Sequence, residues 1–167
     1  MNENFPVMLL QAFTTGCACA LLLGGCSTAR FVSDDYSAEF QGRYVVSDTT
    51  GDDAMKNKTI DLAFGEGRTA TVVVEESHRV FHLDACRSLA GSFANSLANA
   101  TSDSIIHAIG CLDEDDRYWS FMHGRPGAKT SAGYTLFRNV TSQSGYLVRR
   151  SVRDRYPSDL ALEPLAK

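Results

Sequence analysis

The chain has 167 residues, of which 44% are hydrophobic and 22% are charged, and its formal net charge is −4 at pH 7. A chain of this length suffices for one domain that buries about 70% of the surface its unfolded form exposes. The charge is only mildly acidic, and no basic stripe with interleaved aromatic residues occurs, so nothing supports nucleic acid as a partner.

The first predicted element is an export signal. Residues 7–23 form an apolar stretch, and Gly24, Gly25 and Cys26 follow it. Small residues suit the peptidase that cuts before the cysteine, and a cysteine thiol is nucleophilic enough to accept a diacylglyceryl group. Together with Leu23, these residues resemble the lipobox of bacterial lipoproteins. The resemblance implies a lipoprotein signal peptide over residues 1–25, a palmitate-bearing lipid on Cys26 and a mature chain of 142 residues, which is 167 minus 25.

Two other interpretations of the N-terminus stay open. One is a permanent membrane helix, although Gln11, Thr14 and Thr15 interrupt the apolar stretch and a span needs about 20 mostly apolar residues. The other is an ordinary secretory signal that is cut elsewhere. The segment also departs from the usual signal pattern, because Glu3 precedes the apolar stretch and no lysine or arginine does.

The residue directly after the lipobox influences whether such a lipoprotein is sorted to the inner or the outer membrane. In the common Gram-negative pattern, an aspartate directly after the lipidated cysteine favours retention in the inner membrane. This chain has Ser27 at that position. The resemblance therefore implies a lipid anchor in the outer membrane, with the domain facing the periplasm.

We expect three regions after the signal peptide. Residues 26–40 comprise the lipidated cysteine and a small, polar and acidic stretch, which is predicted to be a flexible tether. Residues 41–155 hold the folded domain. Residues 156–167 include Pro157 and Pro164 and are predicted to be a loosely packed C-terminal tail.

Short runs with β character follow one another in the domain at nearly regular spacing. In residues 59–64, Ile60, Leu62 and Phe64 lie on one face and Asp61 on the other, as in a half-buried strand. Glycines between neighbouring runs are typical of hairpins. We predict eight strands, over residues 42–47, 59–64, 69–74, 79–85, 104–111, 117–122, 134–138 and 145–152.

One short helix is predicted among these strands. Leu89, Phe93 and Leu97 recur at i, i+4 and i+8, which places three apolar groups on one helical stripe. The helix is expected to cover one opening or face of the sheet. It is intrinsically weak, because Gly91 and Asn95 are poor helix formers.

The predicted fold class is mainly β: a small antiparallel eight-stranded barrel or sandwich with one short helix and one disulfide. Closure into a barrel would remove the open sheet edges that pair with neighbouring molecules, which matters for a domain concentrated on a membrane surface. The frequency of hairpin signals favours the barrel, and the sandwich stays open as the alternative.

The cysteines bear on the redox state of the domain. Cys17 and Cys19 leave with the signal peptide and Cys26 takes the lipid, so Cys86 and Cys111 are the two thiols that remain. In an oxidising compartment, two remaining thiols predict one disulfide between Cys86 and Cys111.

Two alternatives to the disulfide stay open, namely two free thiols and a metal site. His82 with Cys86 and His107 with Cys111 both follow the pattern His-x-x-x-Cys, which together is the ligand set of a Cys2His2 zinc site. Both segments are predicted strands, however. On a strand, residues four apart share a face but lie about 13 Å from each other, too far to chelate one ion.

The sequence contains no catalytic motif that fixes a nucleophile and its base, such as Gly-x-Ser-x-Gly or His-Glu-x-x-His. We therefore predict binding without catalysis. Tyr118, Trp119 and Phe121 precede a long glycine-containing loop and form a possible contact patch, since large exposed aromatics are typical of interfaces. In the alternative interpretation, the helix around Phe93 covers these aromatics and the patch does not exist.

Beyond the lipobox, one short stretch resembles a known family. Ser131, Ala132, Gly133 and Tyr134 resemble the Ser-Gly-rich stretch before a tyrosine that is found in small lipid-anchored lysozyme inhibitors of the bacterial envelope. The overall plan of those proteins, with a lipobox, one disulfide and an eight-stranded barrel, is similar to the plan predicted here. The resemblance covers four residues.

These observations predict a non-enzymatic envelope lipoprotein, held to the membrane by its lipid anchor. Its β domain is expected to bind an envelope protein or a small ligand, and no cofactor is expected. The alternative function is that of a metal-binding or enzymatic periplasmic protein that uses the pairs His82/Cys86 and His107/Cys111.

Overall fold

The computed structural model describes residues 31–98, 104–131, 139–151 and 157–166. The strands in these ranges are β1 (Gly42–Thr50), β2 (Thr59–Gly65), β3 (Thr69–Val74), β4 (Arg79–Ser88), β5 (Ile105–Asp113), β6 (Tyr118–Gly124), β7 (Lys129–Ser131), β8 (Asn139–Thr141), β9 (Tyr146–Arg150) and β10 (Ser158–Pro164). The α-helices are α1 (Ser37–Phe40) and α2 (Gly91–Ala98), and 3-10 turns occupy Asp53–Met55 and Glu75–Ser77.

Eight of these strands close into an antiparallel barrel in the order β1-β10-β9-β6-β5-β4-β3-β2, while β7 and β8 form a separate two-stranded sheet. The prediction of an eight-stranded antiparallel barrel is confirmed, and the sandwich alternative is wrong. The alternation of apolar and polar residues along each strand explains which side chains face the barrel interior. In β2, Ile60 and Leu62 are buried inside the barrel, whereas Asp61 and Ala63 are exposed on the outside.

The C-terminal prediction is wrong. Residues 158–164 are not a loose tail but form β10, which pairs with both β1 and β9 and thereby closes the barrel. Leu160 and Leu162 alternate into the core, and Pro157 and Pro164 lie at the two ends of the strand, where proline is tolerated. The predicted strand at 134–138 lies outside the described residues.

The tether prediction is also wrong for residues 31–40, which we call the N-terminal segment. Phe31 forms a β-bridge with Leu89 at the end of β4, and the Val32 amide donates to the Ser88 carbonyl at 3.2 Å. Phe40 belongs to the barrel core. The buried Phe40 side chain and the backbone contacts of Phe31 and Val32 therefore hold the segment on the barrel end.

The predicted aromatic contact patch is wrong as well. Trp119 and Phe121 are each only 1% exposed, and both point into the barrel, where Phe81 packs 5.0 Å from Trp119 between ring centroids. Tyr118 lies on the outer face of β6, half-buried against a second apolar cluster. The alternation of β6 places Trp119 and Phe121 inside, where they fill the lumen rather than face solvent.

The predicted helix exists as α2, and it covers the outside of the barrel. Asn95 of α2 accepts a hydrogen bond from the Ile105 amide at 2.9 Å and donates to the Ile105 carbonyl at 3.3 Å, which ties the helix to the start of β5. Phe93 packs on the second cluster, and the Leu97 side chain lies outside the described part. Within the described ranges, no helix has the length and hydropathy that a membrane crossing requires.

The disulfide between Cys86 and Cys111 is confirmed, with the two Cα atoms 4.1 Å apart on the adjacent strands β4 and β5. A bulge between Asp84 and Arg87 brings Cys86 to face its partner, and Ala85 adopts a positive φ of 52° there. Both alternatives, a zinc site and two free thiols, are therefore wrong, because a disulfide leaves no thiolate to bind metal.

Candidate functional site

One end of the barrel carries a groove of about 510 Å³, which lies between the N-terminal segment and the turn that joins β2 to β3. Residues 31–35 and Ser37 form one wall, and residues 64–69 form the other. The end of β4 and Ile109 of β5 complete the lining. The groove therefore exists because the N-terminal segment is docked.

The floor of the groove is apolar. Phe64, Cys86 and Ile109 line it, and each of them belongs to the inward-facing side of its strand. The Phe64 ring also contacts Phe121 edge-on, with 5.8 Å between ring centroids. The floor is thus the end of the hydrophobic core, left partly uncovered between the two walls.

The rim of the groove carries charges of both signs. Asp34, Asp35 and Glu66 contribute carboxylates, while Arg68 and Arg87 contribute guanidinium groups. The Ser37 amide and hydroxyl hold the pKa of Asp35 below its ordinary value by bonding its ionised form, so this carboxylate stays charged at neutral pH. The Arg87 guanidinium lies over the Phe31 ring, 5.2 Å from its centroid. An apolar floor with both charges on its rim suits an amphipathic ligand.

The β2–β3 turn is positioned by its backbone. Gly67 has a φ of +73° and Arg68 a φ of 65°, so the chain reverses tightly. The Arg68 carbonyl then accepts a hydrogen bond from the Cys86 amide at 2.9 Å, which couples the turn to the disulfide strand. One wall of the groove is therefore braced by the covalent link between β4 and β5.

A cluster of one carboxylate and two imidazoles lies at the same barrel end, and we call it the carboxylate–histidine cluster (Glu39, His107 and His123). His107 and His123 are directly opposite each other on β5 and β6. One oxygen of Glu39 lies 2.6 Å from Nδ1 of His107, and the other oxygen contacts Nδ1 of His123. Glu39 comes from α1, so the cluster joins the N-terminal segment to two barrel strands.

Aromatic rings enclose the cluster from both sides. Tyr36 stacks on His107 with 4.2 Å between ring centroids, and Tyr146 stacks on His123 with 4.1 Å. Burial raises the pKa of Tyr146 and of Tyr44, which lies next to it, so both phenols stay neutral at physiological pH. The two histidines and Glu39 are all partly exposed, so protons reach the cluster from solvent.

Of the residues predicted from sequence, few meet at this end. Cys86 lines the groove, and His107 belongs to the cluster, whereas His82 lies exposed on the outer side of β4. Cys26 falls outside the described residues. In the part of the chain that the structure describes, no three acidic, histidine or cysteine side chains have the arrangement that a metal ion needs. The alternative ligand set His82, Cys86, His107 and Cys111 is thus not brought together.

The opposite end of the barrel has a smaller cavity of about 170 Å³, and its charges are largely paired with one another. Arg117 binds Asp113 through Nε at 2.9 Å and also contacts Asp115. Arg150 lies over the Trp119 ring and pairs with Asp52 at 3.3 Å, and burial lowers its pKa. These groups close the core at that end, so the groove at the other end is the stronger candidate for binding.

No protein-family model, no curated protein and no solved structure matches the chain.

Proposed function

We propose that this chain is a lipid-anchored protein of the bacterial envelope that binds a small amphipathic ligand, or a short segment of a partner protein, in the groove. The observation that carries the proposal is the groove itself, with its apolar floor and its rim of both charges. Binding of this kind needs a preformed concave site and a few polar groups that fix orientation.

A lipid anchor on Cys26 would turn the groove end of the barrel towards the membrane. Phe31 follows Cys26 by five residues, which span at most about 18 Å when fully extended. A lipid on Cys26 therefore holds the groove close to the membrane surface. Phe31 and Val32 are exposed on the same segment, which is compatible with a position near the lipid headgroups.

The residues around the groove support binding without turnover. The lining offers the hydroxyls of Ser33, Ser37 and Ser88, and no histidine lies among the residues that form it. A serine needs an adjacent base to act as a nucleophile, and the carboxylate of Asp35 beside Ser37 is a weak base because its pKa is lowered. Ser88 is also engaged, since its Oγ accepts a hydrogen bond from the Tyr36 amide at 3.4 Å.

Methyl NMR tests the groove with a defined probe, 1-naphthalenesulfonate, whose ring suits the floor and whose anion suits the guanidinium groups. The chain has four isoleucines, of which Ile109 lines the groove, Ile60 is buried in the barrel and Ile106 is exposed on β5. We expect a saturable shift of the Ile109 methyl signal in the protein reconstituted into nanodiscs, with Ile60 unchanged.

Two matched variants complete this test. Arg87→Gln should weaken binding of the probe about tenfold, the loss expected for one ionic hydrogen bond. Arg79→Gln at the opposite barrel end should leave it unchanged. A shift of Ile106 alone, or equal affinity in both variants, would contradict binding in the groove.

A further inference from the structure

We propose that the groove binds a membrane lysophospholipid with a primary ammonium headgroup. The single acyl chain lies on the apolar floor, and the phosphate and the ammonium group meet opposite charges on the rim. This ligand class rests on the function proposed for the groove, which it makes specific. Such a lipid carries one acyl chain, one phosphate diester and one primary amine.

The floor of the groove fits the acyl chain. Phe64, Cys86 and Ile109 form this floor, and all three side chains are apolar. The groove has a volume of about 510 Å³, within the range of about 300–1,000 Å³ that is typical of sites for one small molecule. A site of this size takes one acyl chain rather than two, so a single-chain lipid is favoured over a diacyl lipid.

Charges on the rim of the groove are left unpaired by the fold. Elsewhere on the barrel, guanidinium groups and carboxylates form ion pairs, namely Arg43 with Glu75, Arg117 with Asp113, Arg149 with Asp159 and Arg150 with Asp52. In the ranges that the structure describes, Glu66, Arg68 and Arg87 form no such pair, and the Arg87 guanidinium packs on the Phe31 ring instead. Unpaired charges of both signs in one groove suit a ligand that carries both signs.

The two guanidinium groups of the rim are placed to receive the phosphate. Arg68 belongs to the β2–β3 turn and Arg87 to the end of β4, and both line the groove. The Arg68 carbonyl accepts a hydrogen bond from the Cys86 amide at 2.9 Å. Because Cys86 directly precedes Arg87, this bond holds the two arginine positions side by side. A guanidinium presents a planar fork of N–H donors that matches two phosphate oxygens.

The carboxylates of the rim are assigned to the ammonium group. Asp34 and Asp35 lie on one wall and Glu66 on the other, so three carboxylates against two guanidinium groups disfavour a headgroup that is only anionic. A primary ammonium donates three hydrogen bonds, whereas a quaternary ammonium has no donor and is bound by aromatic cages instead. Of the lining residues that the structure describes, only Phe31 offers an aromatic ring at the rim, and Arg87 already lies over it, 5.2 Å from its centroid. A primary ammonium therefore fits this rim best.

Exposed apolar side chains connect the groove to a lipid phase. Phe31 is 46% exposed and Val32 is 37% exposed, and both line the groove. Apolar side chains of this kind insert among lipid headgroups. Cys26 precedes Phe31 by five residues, so the proposed lipid anchor keeps this rim within reach of the membrane. The membrane is therefore the source to which we assign the ligand.

Methyl NMR of the full chain in phosphatidylcholine nanodiscs tests the ligand class. Lauroyl lysophosphatidylethanolamine is added in increasing mole fraction, and the lysophosphatidylglycerol and lysophosphatidylcholine with the same acyl chain are the comparison ligands. We expect a saturable shift of the Ile109 methyl signal, half-saturated at an about fivefold lower mole fraction for the ethanolamine ligand, since an exposed ion pair contributes up to this factor. Ile60, buried in the barrel, should stay unchanged. Equal half-saturation for the three headgroups overturns the assignment, as does an equal shift by glycerophosphoethanolamine, which has no acyl chain.

Variants of the rim separate the two charged contacts. The double variant Asp34→Asn/Glu66→Gln removes one carboxylate from each wall, and it should weaken the ethanolamine ligand about fivefold while the glycerol ligand binds as tightly as before or more tightly. Arg68→Gln should weaken all three ligands, because each carries a phosphate, and Asp61→Asn on the outer face of β2 is the matched control that should behave as the wild type. A distorted groove would bind every ligand more weakly. An equal loss of the ethanolamine and glycerol ligands in the double variant, or no loss of the ethanolamine ligand, therefore overturns the ammonium contact.

These outcomes are separate from that of the groove. An Ile109 signal that responds to 1-naphthalenesulfonate but shows no preference among the three headgroups would leave the groove standing and refute the lipid assignment. An Ile109 signal that responds to none of these probes would refute binding in the groove itself.

Discussion

Trp119 donates its indole Nε1–H to Asp113 across 3.2 Å, inside the barrel end opposite the groove. Asp113 also accepts hydrogen bonds from the amides of Asp115 and Arg117, each at 3.0 Å. One buried carboxylate thus fixes the largest core side chain and the β5–β6 turn together. Burial opposes ionisation of Asp113, but these hydrogen bonds outweigh it and lower the pKa of the carboxyl group.

Acid should weaken the barrel through Asp113. A lowered pKa means that the carboxylate stabilises the fold above the unfolded-state pKa of about 3.9, and that this contribution is lost as the pH falls through the folded-state value. We expect Asp113→Asn to unfold more easily than the wild type at neutral pH, with a difference that shrinks below about pH 4. Denaturant unfolding at several pH values measures this, and a constant difference down to about pH 2 would refute it.

Trp119 should behave as a core residue. Trp119→Ala removes a side chain that is 1% exposed, and large-to-alanine changes in a core cost about 3–5 kcal/mol. Tyr118→Ala, on the half-buried outer face of the same strand, is the matched control and should cost less. If Trp119→Ala leaves the unfolding free energy unchanged, the indole does not fill the barrel.

The disulfide should be a major source of stability. Cys86 and Cys111 are 25 residues apart, and closing a loop of this size stabilises a fold by about 3 kcal/mol in the chain-entropy account. We expect the double variant Cys86→Ala/Cys111→Ala to lose about that much, as measured by denaturant unfolding. A reductant should destabilise the wild type and leave the double variant unaffected, and an equal response of both would contradict the assignment.

Lipidation at Cys26 is tested by metabolic labelling with an alkyne analogue of palmitate. The lipobox ending at Cys26 predicts that the wild type is labelled and that Cys26→Ala is not. Cys19→Ala, within the predicted signal peptide, is the matched control and should be labelled like the wild type. Labelling that persists in Cys26→Ala would refute the proposed lipid anchor at Cys26.

Most of the barrel follows from alternation in the sequence, and the exceptions have physical reasons. The strand β10 was not predicted, because Pro157 and Pro164 suggest a loose tail. Prolines at the two ends of a strand, however, leave the hydrogen bonds between them to the neighbouring strands intact. The helix α2 was predicted from its apolar stripe, but its attachment was not: Asn95, a poor helix former, bonds the backbone of Ile105 instead of solvent. Tertiary contacts thus override local propensity in both elements.

Most residues of the candidate site, including the carboxylate–histidine cluster, could not be predicted from the sequence. Glu39 and His123 are 84 residues apart, and they meet only because β6 enters the barrel beside β5 and α1 docks across that end. The opposition of His107 and His123 follows from the register of β5 against β6, which runs unbroken from His107 to Leu112. Composition and spacing contain no signal for this register, so only His107 was singled out, and for its spacing to Cys111.

The most direct test of the central claim, that the groove is the binding surface, is photo-cross-linking in the bacterium. A photoreactive phenylalanine analogue is placed at Ser33 or at Glu66, on opposite walls of the groove, and at Asp61 on the outer face of β2 as the control. We expect Ser33 and Glu66 to yield the same cross-linked species and Asp61 not to yield it. Equal yield from all three positions, or no product from either groove position, would contradict it.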